Sequence, residues 1–253
     1  MSCIFSRWTP STRRLFLHVL PGCLMALLLG TSTGCNLASQ GQNVDGVRLF
    51  NQGNYQAASD RFRQAMESDP TNPDSYYNIA ATYHRQGILR NDKTDLDQAE
   101  SFYDQCLARD PDHVDCYRGL AVLLVERGES DEAFKVLERW EARSPSSAEP
   151  KIELARLRQE FGDQEQATKY LTEALEFDPH NHRALTALGQ IREQEGDHQQ
   201  ALAVYSRSLQ ANRFQPQVAT RVAALQRSVG TTAPIVTPPG GTRVVATPGG
   251  ATR

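Results

Sequence analysis

Cysteine supplies the most reactive side chains of this chain, and five cysteines occur, at positions 3, 23, 35, 106 and 116. A cysteine thiolate can act as a nucleophile, bind a soft metal ion or form a disulfide. Cys106 and Cys116 are ten residues apart, and two interpretations of them stay open. They form a disulfide, which an extracytoplasmic compartment permits, or they stay unbonded and Cys106 only fills a small position in the core.

Histidine and carboxylate clusters are the next candidates for chemistry. His113 precedes Cys116, and His180 precedes His182, but neither pair has a third or fourth ligand at the spacing of a zinc site. Four acidic residues at positions 92, 95, 97 and 100 lack the glycine and the final glutamate of a calcium-binding loop. No nucleophile elbow, phosphate loop or zincin helix occurs. The sequence therefore predicts no metal, no cofactor, no small-molecule substrate and no enzyme, with an unrecognised active site as the remaining alternative.

The charge distribution argues against nucleic acid as a partner. The chain has a formal net charge of -3 from 27 Lys and Arg against 30 Asp and Glu. Residues 1–34 hold three of the arginines and no acidic residue, which leaves the remainder at -6. Phosphate binding needs a concentrated basic face, and an acidic remainder does not supply one.

Residues 1–34 have the composition of an export signal. Three arginines come first, the longest apolar run, Leu15–Leu29, follows, and small residues lead up to Cys35. The apolar run is shorter than the about 20 residues that span a bilayer. The sequence therefore predicts that residues 1–34 are a signal peptide that is removed.

The residues Thr33, Gly34 and Cys35 resemble the lipobox of bacterial lipoproteins. This resemblance implies cleavage before Cys35, acylation of its sulfur, and a short tether over residues 35–40. Because the next residue is not aspartate, the resemblance implies the periplasmic face of the outer membrane rather than the inner membrane. An ordinary signal peptide cleaved near Ala38 and a retained anchor helix are the alternatives.

The elements that must position any site are set by three residue types that recur in one register. In four of five copies a glycine is followed five residues later by an alanine, and in the second copy the distance is twelve residues. A proline follows twelve residues after the alanine in the first four copies, and the copies are separated by steps of 34 residues and one of 41. The positions are Gly53, Ala58 and Pro70; Gly87, Ala99 and Pro111; Gly128, Ala133 and Pro145; Gly162, Ala167 and Pro179; and Gly196 and Ala201. A fixed period of this size predicts a stacked-repeat architecture.

The pattern resembles the tetratricopeptide repeat, a helix–turn–helix unit of 34 residues. The resemblance implies an all-α, right-handed superhelical solenoid of about five repeats over residues 41–229. The repeats are residues 39–72, 73–113, 114–147, 148–181 and 182–215, followed by a capping helix at 215–229. Residues 230–253 are rich in Thr, Pro and Gly, and this composition predicts a disordered tail.

Two departures from the pattern predict local differences. Seven extra residues in the stretch 88–98 predict a longer solvated loop between the two helices of the second repeat. Trp140 stands where the family has a small residue. We therefore expect it either to widen the packing around it or to turn outward as part of a contact surface.

The family's geometry implies a concave surface lined by the first helix of each repeat, and a protein or peptide as its partner. On this surface the residues of mixed aromatic, polar and basic character are Tyr77, Asn78, His84, Arg85, Arg118 and Arg156. Aromatic and arginine side chains are favoured at interface hot spots. These six residues are therefore the predicted partner-binding residues.

Together, the signal and the repeats suggest a lipid-anchored, non-enzymatic scaffold on the periplasmic side of a bacterial envelope membrane. It would help to assemble an envelope complex, in the manner of lipoproteins of type IV pilus or secretin assembly. An adaptor that recruits cell-wall enzymes is the alternative.

Overall fold

The computed structural model describes residues 38–231, and every regular element in that range is an α-helix. The predicted signal segment 1–34, the lipid site Cys35 and nearly all of the tail 230–253 lie outside the described residues. Among the described helices, none combines the length and the apolar composition needed to cross a membrane.

Eleven helices follow one another between residues 38 and 231. The first, α1, covers residues 38–51 of the described range. The others are α2 Tyr55–Ser68, α3 Pro73–Arg90, α4 Lys93–Arg109, α5 Val114–Glu126, α6 Ser130–Arg143, α7 Ala148–Glu160, α8 Gln164–Phe177, α9 His182–Gln194, α10 His198–Ala211 and α11 Pro216–Thr231. The predicted all-α repeat fold is confirmed. The helices form two compact bodies, a first body up to Leu154 and a second body from Ala155.

The recurring glycines and prolines lie where helices end. Four of the five glycines, at positions 53, 128, 162 and 196, have φ between 77° and 81°, a conformation that costs glycine little and other residues much. Each recurring proline stands two residues after the last residue of α2, α4, α6 or α8, where it cannot continue the helix. Side-chain oxygens of Asn and Asp cap most of the helix starts.

Small residues allow the paired helices to touch. The five recurring alanines, at positions 58, 99, 133, 167 and 201, are fully buried. In the second body a Cβ added at Gly189 would lie 2.6 Å from the ring of Tyr205, so only glycine fits there. In the first body Gly46 faces the ring of Phe62 in the same way. The tightest helix contacts therefore use residues with little or no side chain.

The prediction of a loop at residues 88–98 is wrong, because the insertion lengthens two helices. The helix α3 does not end at Gly87 but runs on to Arg90, and Asn91 then takes the left-handed conformation with φ 53°. Asn is one of the few residues that adopt it readily. Asp92 starts α4 at once by accepting a hydrogen bond from the Thr94 amide at 2.8 Å. Gly87 instead makes room for the neighbouring helix, because an added Cβ would lie 2.6 Å from Leu96.

Trp140 does not turn outward. Its side chain is 1% exposed and its ring stacks on Tyr117 with centroids 4.2 Å apart and an interplanar angle of 6°. The indole N–H donates to Asp112 at 2.9 Å, so the one polar atom of the buried side chain has a hydrogen-bond partner. The outward alternative is therefore wrong, and Trp140 belongs to the core of the first body.

The helix α11 lies at Pro216–Thr231, where the sequence predicts a capping helix at 215–229. Val218 and Leu225 on α11 are buried against Ala201 and Tyr205 of α10, and Val222 packs on the same cluster. The apolar stripe of α11 thus covers the last helix pair of the second body.

Candidate functional site

A groove of about 540 Å³ opens between α1, α3 and α5 of the first body. We call it the N-terminal groove. It is lined by Gln40, Asn43, Val44, Val47, Asn72, Asp74, Tyr77, Asn78, His113 and Asp115. Three helices contribute to it, and each presents the same face of its repeat, since the lining residues recur at equivalent positions. The groove thus lies on the helix face that the sequence predicts for partner binding.

Apolar side chains form one wall of the N-terminal groove. Val44 is 70% exposed and Val47 is 42% exposed, although both lie on a helix whose other face is packed. Across the groove the half-buried ring of Tyr77 stands 5.7 Å from the His113 ring and 6.3 Å from the Tyr103 ring. Apolar area left open next to aromatic rings is typical of a surface that binds another molecule.

A short ladder of side-chain amides holds α1 against α3. Asn43 donates to the Ser75 hydroxyl at 3.0 Å and accepts from the Asn78 amide at 3.3 Å. Asn78 is a predicted partner-binding residue, but this hydrogen bond also gives it a structural role. It fixes the wall that carries Val44 and Val47.

The accessible charge of the N-terminal groove is negative. Asp74 and Asp115 have side chains that are 68% and 54% exposed. Burial, reinforced by the Asp115 carboxylate and only partly offset by Arg118, raises the pKa of Tyr77. The Tyr77 hydroxyl therefore stays neutral and can donate a hydrogen bond. A ligand with cationic or amide groups next to apolar ones matches this lining.

Arg118 is occupied within the protein and does not present a free cation. Its guanidinium makes two hydrogen bonds to the fully buried carboxylate of Glu153, at 2.7 and 3.2 Å, and one to Asp115 at 2.8 Å. Burial disfavours its charge, but the hydrogen bonds and the charge of Glu153 outweigh that effect and raise the pKa of Arg118. Such bidentate pairing of a guanidinium with a carboxylate fixes the orientation of both groups. Arg118 thus joins α5 to the start of α7.

His84 and Arg85 lie beside a second, smaller hollow of about 210 Å³ in the first body. His84 bridges two groups, with Nε2 2.6 Å from Glu126 Oε2 and Nδ1 3.4 Å from the Tyr103 hydroxyl. Arg85 is exposed and donates to the Tyr55 hydroxyl at 3.4 Å. The six predicted residues thus do not form one patch, because Tyr77 and Asn78 face one concavity and His84 and Arg85 another.

Arg156 belongs to the second body and makes an ion pair with Glu160 at 3.3 Å, one helical turn along α7. This i, i+4 pairing is common on helix surfaces. Its place in the site stays a prediction.

Tyr103 lies at the site but is not among the residues predicted from the sequence to bind a partner. Its side chain is 2% exposed, and its hydroxyl reaches the His84 imidazole. Burial, with Tyr77 and Glu126 adding to the effect, raises the pKa of Tyr103. An added Cβ at Gly119 would lie 2.6 Å from the ring. The glycine at position 119, on α5, was a signal in the sequence that a large neighbouring side chain needed space.

The wall formed by α1 was also missed. The binding positions of the later repeats correspond to Gln40, Asn43 and Val47 in the first repeat, and all three line the groove. Extending the same repeat register to the first repeat would have identified these three residues as lining residues.

Cys106 and Cys116 are joined by a disulfide between α4 and α5, with their Cα atoms 6.6 Å apart. Both residues are fully buried. His113 lies next to the bond as the cap of α5, where its Nδ1 accepts from the Cys116 amide at 3.2 Å. Of the two interpretations of the cysteine pair, the structure contains the bonded one.

Family models of the tetratricopeptide repeat match three stretches of the chain, at residues 46–87, 92–157 and 152–216. Among solved structures, a thermophilic TPR protein of Thermus thermophilus is similar with a TM-score of 0.55 and 24% identity, over 75% of this chain and 100% of that chain. PilF of Pseudomonas aeruginosa has a TM-score of 0.49 and 17% identity, over 78% of this chain and 86% of that chain. No curated protein sequence matches the chain significantly.

Proposed function

The chain belongs to the tetratricopeptide repeat family, whose members are generally non-catalytic scaffolds for protein–protein interaction, and from this premise we propose a more specific role. It is a lipid-anchored scaffold on the periplasmic face of a bacterial envelope membrane. It binds a segment of a partner protein in the N-terminal groove, and by doing so helps to assemble an envelope complex of the type IV pilus or secretin kind.

The lining of the N-terminal groove is the observation that carries the binding proposal. The exposed Val44 and Val47 offer apolar contact, while Asp74 and Asp115 place two carboxylates near the same opening. A partner segment with apolar side chains flanked by Lys or Arg complements both features. Arg118 does not oppose such a segment, because the fully buried Glu153 already neutralises it.

The anchor proposal rests on the export signal and on Cys35. Three residue steps separate Cys35 from residue 38, the first described residue of α1. Even a fully extended chain spans at most about 3.6 Å per residue, or about 11 Å over this stretch. Acylation of Cys35 would therefore hold α1, and the groove that α1 borders, close to the membrane surface. The partner segment would be a membrane-proximal one.

Mass spectrometry of the mature N-terminus tests the anchor. We expect a chain that starts at Cys35 with acyl groups on it, and a Cys35→Ser chain that is no longer extracted with the membranes. An unmodified mature chain that starts at another residue would refute the anchor and leave the groove proposal standing.

Binding to a peptide array tests the groove. Peptides that combine apolar residues with Lys or Arg should bind the purified chain, and replacing their basic residues by Glu should abolish binding. Val44→Lys removes apolar contact and adds a repelling charge, so we expect at least about a fivefold loss of affinity, the size of a modest hot spot. Leu89→Lys is the matched control, because Leu89 is 56% exposed and does not line the groove. Equal losses in the two variants would refute the groove as the binding site.

The identity of the bound partner distinguishes a role in assembling an envelope complex from a role in recruiting cell-wall enzymes. A photoreactive residue at position 44 should cross-link to a pilus or secretin component under the proposal. A cross-link to a murein hydrolase or synthase would support the alternative.

A further inference from the structure

We propose that Cys106, Cys116 and His113 form a redox-gated site for Zn²⁺. The site is closed while the two cysteines are bonded to each other, and it opens when a dithiol reductant cleaves the bond. The reduced site then holds one ion through two thiolates and one imidazole nitrogen, with water in the fourth position.

The three ligand atoms already lie together. The two sulfurs and a ring nitrogen of His113 all lie within 4.8 Å of one another. A tetrahedral ion with Zn–S bonds of about 2.3 Å and Zn–N bonds of about 2.0 Å needs neighbouring ligands less than about 4 Å apart. The cysteine Cα atoms are 6.6 Å apart, near the long end of the range for a disulfide. The sulfurs can therefore move apart after reduction with little movement of α4 or α5.

The contacts of His113 select the nitrogen that would bind the ion. Nε2 lies 3.1 Å from the Asp74 carboxylate, and Nδ1 accepts a hydrogen bond from the Cys116 amide. An imidazole that donates from Nε2 and accepts at Nδ1 is neutral and keeps its lone pair on Nδ1, the nitrogen that contacts the Cys116 amide. A carboxylate that holds the outer N–H of a histidine is the usual second partner at zinc sites. Metal binding would replace the amide of Cys116 as the partner of Nδ1.

Burial and charge also suit the ion. Both cysteines are fully buried and the His113 side chain is 11% exposed, so an ion and its water ligand would enter along the edge of His113. Two thiolates balance the charge of Zn²⁺, and Asp74 lies beyond the histidine. Cys116 is in the first turn of α5, where the positive end of the helix favours a thiolate.

Reduction of the disulfide and binding of the ion are two separate steps. The dithiol reductant gives two electrons and two protons to the Cys106–Cys116 bond and leaves as its own disulfide. Each cysteine then carries a thiol. Binding of Zn²⁺ displaces the two thiol protons into the buffer, and the neutral His113 donates its lone pair without losing a proton. A small-molecule disulfide that takes up two electrons and two protons, and leaves as two thiols, would re-form the Cys106–Cys116 bond and release the ion.

Metal stoichiometry in the full chain tests the site. The chain is treated with a dithiol reductant, freed of it under nitrogen, loaded with Zn²⁺ and dialysed. We expect one more zinc per reduced chain than per oxidised chain, and no such difference in a Cys106→Ser, Cys116→Ser chain, which corrects for zinc held by the other cysteines. Equal zinc in the reduced chain and in the double variant would overturn the proposal.

Two single variants test the assignment of His113 and Asp74. His113→Asn removes the ligand but keeps a residue that caps helices well, so the fold should be retained while the affinity for Zn²⁺ falls. Asp74→Ala should weaken zinc binding by about 10- to 100-fold, as loss of such an outer partner usually does, with a smaller effect than His113→Asn. Unchanged affinity in His113→Asn would show that the imidazole is not a ligand and would overturn the three-ligand site.

If reduction alone unfolds the first body, the helical signal in circular dichroism tests whether Zn²⁺ refolds the reduced chain. In that case Zn²⁺ must restore the helical signal of the reduced chain, but not that of reduced His113→Asn. Failure of Zn²⁺ to restore the reduced chain would count against the site.

Discussion

Replacement of Arg118 by Met gives the sharpest test of what the groove residues do. A ligand-binding arginine can be removed at little cost to folding, whereas one that neutralises a buried carboxylate cannot. Glu153 is fully buried, and Arg118 holds it through two hydrogen bonds at 2.7 and 3.2 Å. Met keeps most of the length of the arginine side chain and removes only its charge and its donors.

We expect Arg118→Met to lower the free energy of unfolding by about 3 kcal/mol. Breaking a buried ion pair on one side typically costs about 3–5 kcal/mol, because the other charge stays in a poor solvent. The lower end applies here, since the Arg118 side chain is 35% exposed and water can partly solvate the site.

A double-mutant cycle with Glu153→Gln distinguishes the ion pair from a packing effect. The amide keeps the shape of Glu153 and carries no charge, so it loses less than the carboxylate when Arg118 is removed, and the double variant should be more stable than Arg118→Met alone. Urea unfolding followed by circular dichroism measures all four chains. Arg85→Met is the control, and we expect a loss within about 0.5 kcal/mol, as for an ordinary surface change. A loss below about 1 kcal/mol for Arg118→Met, or an added loss in the double variant, would refute the buried-pair interpretation.

Three further changes test the packing and the charge of the fold. Gly189→Ala should lower the free energy of unfolding in urea by about 1–3 kcal/mol, because the added methyl group would collide with Tyr205. Gly41→Ala is the control: nothing lies within 4 Å of its added Cβ, so it should be neutral or stabilise by up to about 1 kcal/mol. Equal effects of the two substitutions would contradict the close packing at Gly189. Trp140→Ala should cost about 3–5 kcal/mol in the same assay, and a loss below about 1 kcal/mol would show that the indole is not part of the core. Hydrogen bonds from Ser144 and from the indole of Trp140 lower the pKa of Asp112. The contribution of the Asp112 carboxylate to stability is therefore present above its unfolded pKa of about 3.9 and is lost as the pH falls through the lower folded pKa. The difference in the free energy of unfolding between the protein and Asp112→Asn should therefore shrink as the pH is lowered below about 4, and a constant difference would contradict the role of the charge.

The fold was predictable because local chemistry determines most of it. Glycine permits the left-handed turn, proline blocks the next helical turn, and alanine lets two helices touch, so their spacing alone predicts the helix pairs. Gly87 shows the limit of this reasoning. It keeps the register of the other glycines but serves close packing against Leu96, and its neighbour Asn91 supplies the left-handed turn instead.

The sequence predicts which helix face carries the site, but not what each residue on that face does. Positions on the concave face could be identified from the register, and Tyr77 and Asn78 do line the N-terminal groove. The role of Arg118 depends on Glu153, which is 35 residues away and belongs to another repeat. The inward position of Trp140 depends in the same way on Asp112, 28 residues away. Period and spacing do not show such pairings, because they arise only when the helices pack.

The lengthened hairpin of α3 and α4 has a consequence for how the chain finds its fold. The helices α3 and α4 have 18 and 17 residues, whereas α5 to α10 have 13 or 14. In a chain of similar repeats, a helix can pair with the corresponding helix of the wrong repeat, and such mispairing is a common folding error. If α3 paired with a helix of 14 residues, about one turn of it would lack a partner. Unequal length thus marks one repeat and disfavours a shift of the array by a whole unit.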